Sequence, residues 1–404
     1  MKLTSLFDTP WRQYMLITGN YWAFTLTDGA LRMLVVLYFY ELGYSPLSLA
    51  FLFLFYEFFG VVTNLIGGWL GARLGLNRIM NVGLCLQVLA LSMLLVPTQW
   101  LSVAWVMVAQ ALSGIAKDLN KLSAKSGIKV LVPNDQDSTL FRWVALLTGS
   151  KNALKGIGFF VGGAALLAWG FKPAIALLIV VLLIALCVST LGLQTDLGKS
   201  SAKPKFAQMF SNSPQINALA AARLFLFAAR DIWFVVALPV YFASILNWQH
   251  WQTGAFMALW IIGYGVIQTQ APKIVRAKSG TVGGKLAIIW VLVLAVITAI
   301  FASTHTNGLY DPQVLVIGLL IFGAVFAVNS SLHSYLIVNY AKAENVSMDV
   351  GFYYMANAAG RLFGTLLSGL IYQNYAQQGL FACLVGSAIL LAVSAALSFR
   401  LPKH

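Results

Sequence analysis

"TDLGKSSAKPKFAQMFSNSP", residues 195–214, is the longest strongly polar connection in a chain otherwise built of apolar runs. It carries Lys199, Lys203 and Lys205 and divides the sequence into two parts of nearly equal length. Six stretches on each side read as membrane spans: 13–40, 47–71, 79–97, 100–116, 138–170 and 173–194 before it, then 216–246, 251–271, 286–304, 312–340, 350–373 and 378–399. Apolar runs of about 20 residues cross a hydrocarbon core as helices, whereas a barrel shows short alternating segments. The longer runs tilt or project into water. Of 404 residues, 60% are hydrophobic and 9% charged, against about 25% charged in a soluble domain. The predicted fold is all-α and integral to the membrane. Twelve transmembrane helices form two six-helix bundles, 1–194 and 216–404, joined by a cytoplasmic linker at 195–215.

The connections alternate in charge. Those after every second span are basic: Arg73 and Arg78; Lys117, Lys121, Lys125 and Lys129; the quoted linker; Lys273, Arg276, Lys278 and Lys285; and Lys342. Both tails add Lys or Arg, while the opposite connections carry little beyond Lys172. The excess of cytoplasmic Lys and Arg in membrane proteins places both termini inside. It also accounts for most of the net charge of +14, so no nucleic-acid partner is expected. "MKLTSLFDTPWRQY" has no apolar core that would make it a cleavable signal peptide. Cys85, Cys187 and Cys383 lie in separate apolar runs without metal spacing and read as packing residues. "GIGFFVG" follows no strand and is not a nucleotide loop. With no zinc spacing and no hydrolase elbow, neither enzymatic activity nor a cofactor or metal is expected.

The charges inside the spans are the functional signal. Arg32, Arg142, Lys151, Lys155, Arg223, Arg230 and Arg361 fall within them, against Asp28, Glu57 and Asp231, an excess of four cations. Each costs about 2.5–3.5 kcal/mol at a helix centre, so such groups face a cavity or a partner. Arg142 lies near a cytoplasmic end and is expected to snorkel. Asp28 and Arg32 stand four residues apart and are expected to pair along their helix. Arg223 and Arg230 share a face, as do Lys151 and Lys155, and Asn357 and Arg361. Asp231 points about 100° away from Arg230, toward a neighbouring helix. Gly158 and Gly162, and Gly360, Gly364 and Ser368, form small-residue faces suited to close helix packing.

Two six-helix halves joined by a cytoplasmic linker resemble the major facilitator superfamily, whose halves are related by an axis along the membrane normal. "KNALKGIG" in the fifth span echoes "ANAAGRLFG" in the eleventh. "GGWLGARLGLNR", residues 67–78, resembles that superfamily's motif Gly-x-x-x-Asp-Arg-x-Gly-Arg-Arg between spans 2 and 3, with Ala72 where the acid belongs. The usual charge relay at the inner gate is therefore in question. In that superfamily spans 1, 5, 7 and 11 line the central cavity with 2, 4, 8 and 10. The resemblance thus gathers the cations into a ring that neutralises an anion at mid-membrane. Arginine suits planar oxyanions because its fork holds two oxygens at once. The candidate substrate-binding residues are Arg32, Lys151, Lys155, Arg223, Arg230 and Arg361, with Asn357, Tyr353 and His333. Tyr264, Asn329 and Tyr354 are polar company. Asp28, Glu57, Asp231 and Arg73 are candidates for coupling or gating.

Three stretches narrow the resemblance. "TDGALRMLVVLYFYELGYSPLSLAFLFLFYEFFGVVTNLIGGWLGARLG", "ALSGIAKDLNKLSAKSGIKVL" and "FRWVALLTGSKNALKGIGFFVGG" are similar to the ArsJ family of organoarsenical efflux permeases. That likeness implies a monomer in the bacterial inner membrane, exporting 1-arseno-3-phosphoglycerate made from arsenate by a glyceraldehyde-3-phosphate dehydrogenase. The same cation ring suits a permease or exchanger for another organic phosphate or carboxylate.

Overall fold

The computed structural model describes residues 9–42, 54–133, 136–193, 197–199, 210, 213–276, 282–306, 309–375 and 378–402. Most of the 195–215 connection lies outside them. The first set of helices is α1 (Pro10–Glu41), α2 (Leu54–Leu74), α3 (Leu76–Met93), α4 (Val103–Leu131), α5 (Asp137–Trp169) and α6 (Phe171–Gly192). The second is α7 (Pro214–Phe234) with its short continuation α8 (Ala237–Ser244), α9 (His250–Ile274), α10 (Gly284–Ser303), α11 (Pro312–Tyr340), α12 (Val346–Tyr375) and α13 (Gly379–Ser398). Each expected span thus contains a helix. Eight are long and apolar enough to cross a membrane by length and composition.

The seventh span is broken at Val235–Val236. Pro239 causes it: a proline inside a helix removes one backbone donor and clashes with the carbonyl four residues earlier. The amide of Ala237 at the break donates to Ser368 Oγ of α12 at 3.1 Å. Gly75 opens α3 with φ 95°, a left-handed backbone that glycine adopts without steric cost. That explains the glycine of the 67–78 motif. Arg73, expected at the gate, is exposed and stacks 4.8 Å from the Trp69 ring centroid, while Ala72 is fully buried.

The largest departure from expectation is α4. The span expected at 100–116 continues as one helix to Leu131. Lys117, Lys121, Lys125 and Lys129 are therefore not loop residues but members of a packed helix, and Lys125 is only 2% exposed. Orientation then rests on the other basic residues. Arg12, Arg73, Arg78, Lys199, Lys273, Arg276, Lys285, Lys342 and Arg400 are exposed at the end of the molecule where α1 begins and α13 ends.

At that end the two sets share one apolar core, from Tyr14, Ile79, Ile128, Phe141 and Val144 to Ile216, Leu336, Ile337, Val350 and Leu401. At the opposite end each set has a core of its own. One is built around Phe39, Leu91, Val106 and Phe171, the other around Trp233, Tyr241, Phe322 and Leu384. The molecule is closed at the terminal end and divided at the other.

Glycines set the closest approaches. A Cβ added to Gly158 of α5 would stand 2.6 Å from the Leu26 carbonyl oxygen of α1, and one on Gly162 would collide with the Ala30 carbonyl. In the second set Gly360 of α12 meets the Leu224 carbonyl of α7, and Gly364 meets Ala228 at 2.6 Å. The α1–α5 and α7–α12 pairs therefore match contact for contact. This match fixes the register between the two halves. With Gly158 placed on Gly360, Lys155 corresponds to Asn357, and Arg361 has no cationic counterpart. Gly158→Ala and Gly360→Ala should each destabilise the protein by about 1–3 kcal/mol, the range for overpacking a filled core. Gly369→Ala, which meets nothing within 4 Å, should be neutral or better. Thermal unfolding of the detergent-purified protein decides the matter; equal midpoints for all three would contradict the packing.

A candidate anion site between the two helix sets

The close α1–α5 and α7–α12 contacts carry the buried carboxylates toward one seam. Asp28 of α1 is 3% exposed. It accepts from Tyr56 Oη of α2 at 2.7 Å and lies 3.7 Å from Lys155 Nζ of α5. The expected intrahelical pair with Arg32 does not form. Arg32 instead places its guanidinium 4.7 Å from the Tyr56 ring centroid, because Tyr56 reaches between α1 and α4 with its hydroxyl on one charge and its face toward another. Lys117 Nζ sits over the same ring at 3.8 Å. The side chain of Glu57, also expected here, lies outside the described residues.

Asp231 of α7 is fully buried and serves two arginines. It accepts from Arg230 Nε at 2.5 Å and from Arg361 Nε of α12 at 3.2 Å. The bridge follows from its position a quarter turn from Arg230, which aims the carboxylate at the neighbouring helix. Arg230 also faces the rings of Phe227, Phe234 and Phe326 within 5.6 Å. Asp118 of α4, which sequence reading had placed in a loop, is 2% exposed. It pairs with Lys121 at 2.5 Å and Lys117 at 3.7 Å. Lys121 also reaches across the seam to the Tyr354 ring of α12, 4.7 Å away.

Among the described residues, Arg223, Lys125 and Lys151 have no carboxylate partner. Arg223 is 3% exposed and donates only to neutral oxygens, Asn357 Oδ1 at 2.8 Å and the Ser330 carbonyl at 3.1 Å. Its guanidinium lies 3.9 Å from the Phe227 centroid and 5.4 Å from that of Tyr353. Lys125 Nζ is buried and has no hydrogen-bond partner among the described residues. Lys151 is partly buried and makes neither an ion pair nor a hydrogen bond among the described residues. Lys125 lies within Coulombic reach of Lys151, Arg223 and Lys121, and Lys151 of Lys155, Lys121, Arg361 and Lys117. The charges thus form one connected group. It holds nine cations against three described carboxylates, an excess of six.

The remaining candidates divide. His333 is fully buried, has neither ring nitrogen hydrogen-bonded, and lies within Coulombic reach of Arg223. Tyr353 is fully buried beside Arg223. Tyr264 accepts from Gln268, which in turn accepts from Asn152 of α5. Asn329 donates to the Trp290 carbonyl of α10; that is an ordinary interhelical tie. Arg142 is exposed, as its position required. Sequence reading missed Lys117, Asp118, Lys121 and Lys125. Their signal was the spacing of four between successive lysines, which keeps side chains on neighbouring turns of one helical face.

Asp231→Asn should expose the cost of this arrangement. Removing one partner of a buried ion pair typically costs about 3–5 kcal/mol, because the other charge is left unmatched. Adding Arg361→Gln to Asp231→Asn should recover part of that loss by removing one orphaned charge. A double-mutant cycle on unfolding midpoints measures the recovery; strictly additive losses would contradict a shared bridge.

The major facilitator superfamily model matches residues 17–332. No curated protein matches the chain. Solved structures that share the fold include the following three. The human organic anion transporter MFSD10 (TETRAN) is 15% identical with a TM-score of 0.76, covering 96% of this chain and 99% of that one. The E. coli fucose:proton symporter FucP is 12% identical with a TM-score of 0.73, covering 96% and 98%. A bacterial homologue of the iron transporter ferroportin, in an outward-facing state, is 13% identical with a TM-score of 0.73, covering 96% and 98%.

Proposed function

The chain belongs to the major facilitator superfamily, a multi-pass membrane transporter rather than an enzyme, and on that premise we propose that it exports an organoarsenical anion, 1-arseno-3-phosphoglycerate, across the bacterial inner membrane. The observation that carries this reading is the set of buried or partly buried cations without a carboxylate among the described residues: Lys125, Lys151 and Arg223. Unmatched cations enclosed in a membrane protein are destabilising on their own and become favourable only when an anion joins them. A phosphate and an arsenate-derived group supply several negative charges. The fold carries organic anions in the human MFSD10, which is compatible with such a cargo. In this reading a glyceraldehyde-3-phosphate dehydrogenase supplies the ester, the transporter acts as a monomer, and arsenate resistance needs both proteins.

Direction follows from electrostatics. An inside-negative potential drives anions outward with about 2.3 kcal/mol per charge per 100 mV, so net export of negative charge needs no coupled ion. With the exposed basic end in the cytoplasm, the conformation is closed inside and divided outside. The two sets then open and close alternately about the charged seam.

The test is uptake into everted vesicles of the ester made in place by the dehydrogenase from arsenate, with and without an inside-positive potential. Uptake should be saturable and stimulated by that potential. Lys151→Gln should weaken it roughly 30-fold or more, since losing one partner of a buried charge contact costs about 2–5 kcal/mol. Lys172→Gln, at an exposed position, should leave it unchanged. Uptake of 3-phosphoglycerate or another organic phosphate but not of the ester would replace the substrate with the broader class. Wild-type uptake in Lys151→Gln would remove that lysine from the site.

A further inference from the structure

Lys117, Lys121, Lys125 and Lys129 follow one another at every fourth residue of α4. Each step rises about 6 Å along the helix, so the four span about 18 Å. The upper two share Asp118. At the closed end, Lys129 Nζ donates to the Asn339 carbonyl near the end of α11 at 3.2 Å. A cation fits there, since the last carbonyls of a helix lack partners and carry negative partial charge. Lys125, between these tethered neighbours, has no such partner among the described residues. It is 2% exposed, its Nζ makes no hydrogen bond, and the charges within reach are the cations Lys121, Lys151 and Arg223. A helix position of this kind suits leucine as well as lysine for propensity. Burial then penalises the ammonium, and its like-charged neighbours penalise it again. No contact among the described residues explains a lysine here.

The position is explained by the other conformation. Lys125 lies where α4 meets the second helix set, inside the core shared by Ile128, Phe141, Leu336, Ile337 and Tyr353. Alternating access requires that this core part. Opening it separates α4 from α11 and α12, uncovers Lys125 and releases Lys129 from Asn339. We propose that Lys129 and Lys125 form a cytoplasmic capture track for oxyanions, with Lys125 the last station before the central site at Lys151 and Arg223. The ligand class is a phosphate-, arsenate- or carboxylate-bearing solute. The proposal rests on the reading that the cargo is an anion, but not on which anion.

Charge-selective labelling tests the track without knowledge of the cargo. Lys125→Cys is made in a chain whose Cys85, Cys187 and Cys383 are replaced by serine. Everted vesicles, with the cytoplasmic face outward, are treated with anionic sulfonatoethyl or cationic trimethylammonium-ethyl methanethiosulfonate. Rates are referred to Lys342→Cys, at an exposed position. The remaining cations should favour the anionic reagent at residue 125 by about tenfold or more relative to the reference, a free-energy difference of about 1.4 kcal/mol, and 3-phosphoglycerate should slow its reaction. Equal or cation-favouring rates, or no labelling at 125 while residue 342 reacts, would overturn the track. If Lys125→Cys does not accumulate in the membrane, Lys129→Cys one turn away reads the same potential against the same criterion. Anionic preference with no uptake of the arseno-ester keeps the track and removes the proposed substrate. Ester uptake without that preference does the reverse.

Discussion

A charge inside a membrane protein must be matched by another charge, by polar groups or by a ligand, and this requirement arranges the centre of the molecule. Each of the three described carboxylates of the seam serves two groups: Asp28 serves Tyr56 and Lys155, Asp118 serves Lys117 and Lys121, and Asp231 serves Arg230 and Arg361. Two of these arrangements depend on backbone contact between helices. Gly158 and Gly162 bring α5 onto α1, and Gly360 and Gly364 bring α12 onto α7. Larger residues there would move Lys155 away from Asp28 and Arg361 away from Asp231. The glycines therefore act on the electrostatics through distance, although they carry no charge.

The two halves use the same packing for different charge patterns. In the first half the helix pair holds a carboxylate and a lysine across the contact. In the second it holds a carboxylate flanked by two arginines, and the position equivalent to Lys155 is Asn357. That asparagine accepts from Arg223. The α1–α7 match also places Arg32 on Arg230, and both guanidinium groups lie against aromatic rings. Stacking of this kind is available to arginine because its planar, weakly hydrated cation tolerates an aromatic face. A related backbone with unlike charges gives the seam an asymmetric field, with the ammonium groups and Arg32 on one side and three arginines on the other.

Much of this was legible in the sequence. The twelve spans follow from hydropathy, and Gly75, Gly158 and Gly360 announce a turn and two contacts. The angle of Asp231 rightly pointed to a neighbouring helix, where it meets Arg361, but it argued against the pair with Arg230 that also forms. The failures share one cause, which is that average polarity hides direction. Residues 117–129 carry four lysines and an aspartate and so read as a cytoplasmic loop, yet their spacing of four places the lysines on adjacent turns of a helix. Asp28 and Arg32 have the spacing of an intrahelical pair. They are drawn apart because Tyr56, on a helix whose placement hydropathy does not specify, offers a hydroxyl to one and a ring to the other. Partners across helices depend on rotation and depth, which one sequence does not encode by periodicity.

The same account bears on how the molecule changes state. A ligand shifts a conformational equilibrium only by the difference in its binding to the two states. In the closed conformation, Lys125 and Arg223 are enclosed with fewer counter-charges than cations, which raises the energy of that conformation when no anion is bound. When the shared core parts, water reaches these groups and lowers the energy of the open state. In the proposed reading, an anion held at Lys151 and Arg223, within reach of Lys125, removes the penalty on closing, and it gains most where water is excluded, because charge interactions strengthen as the local dielectric falls. The unmatched lysine is then the element that makes closure depend on cargo. A carrier whose seam was fully neutralised by its own carboxylates would close equally well with or without its anion.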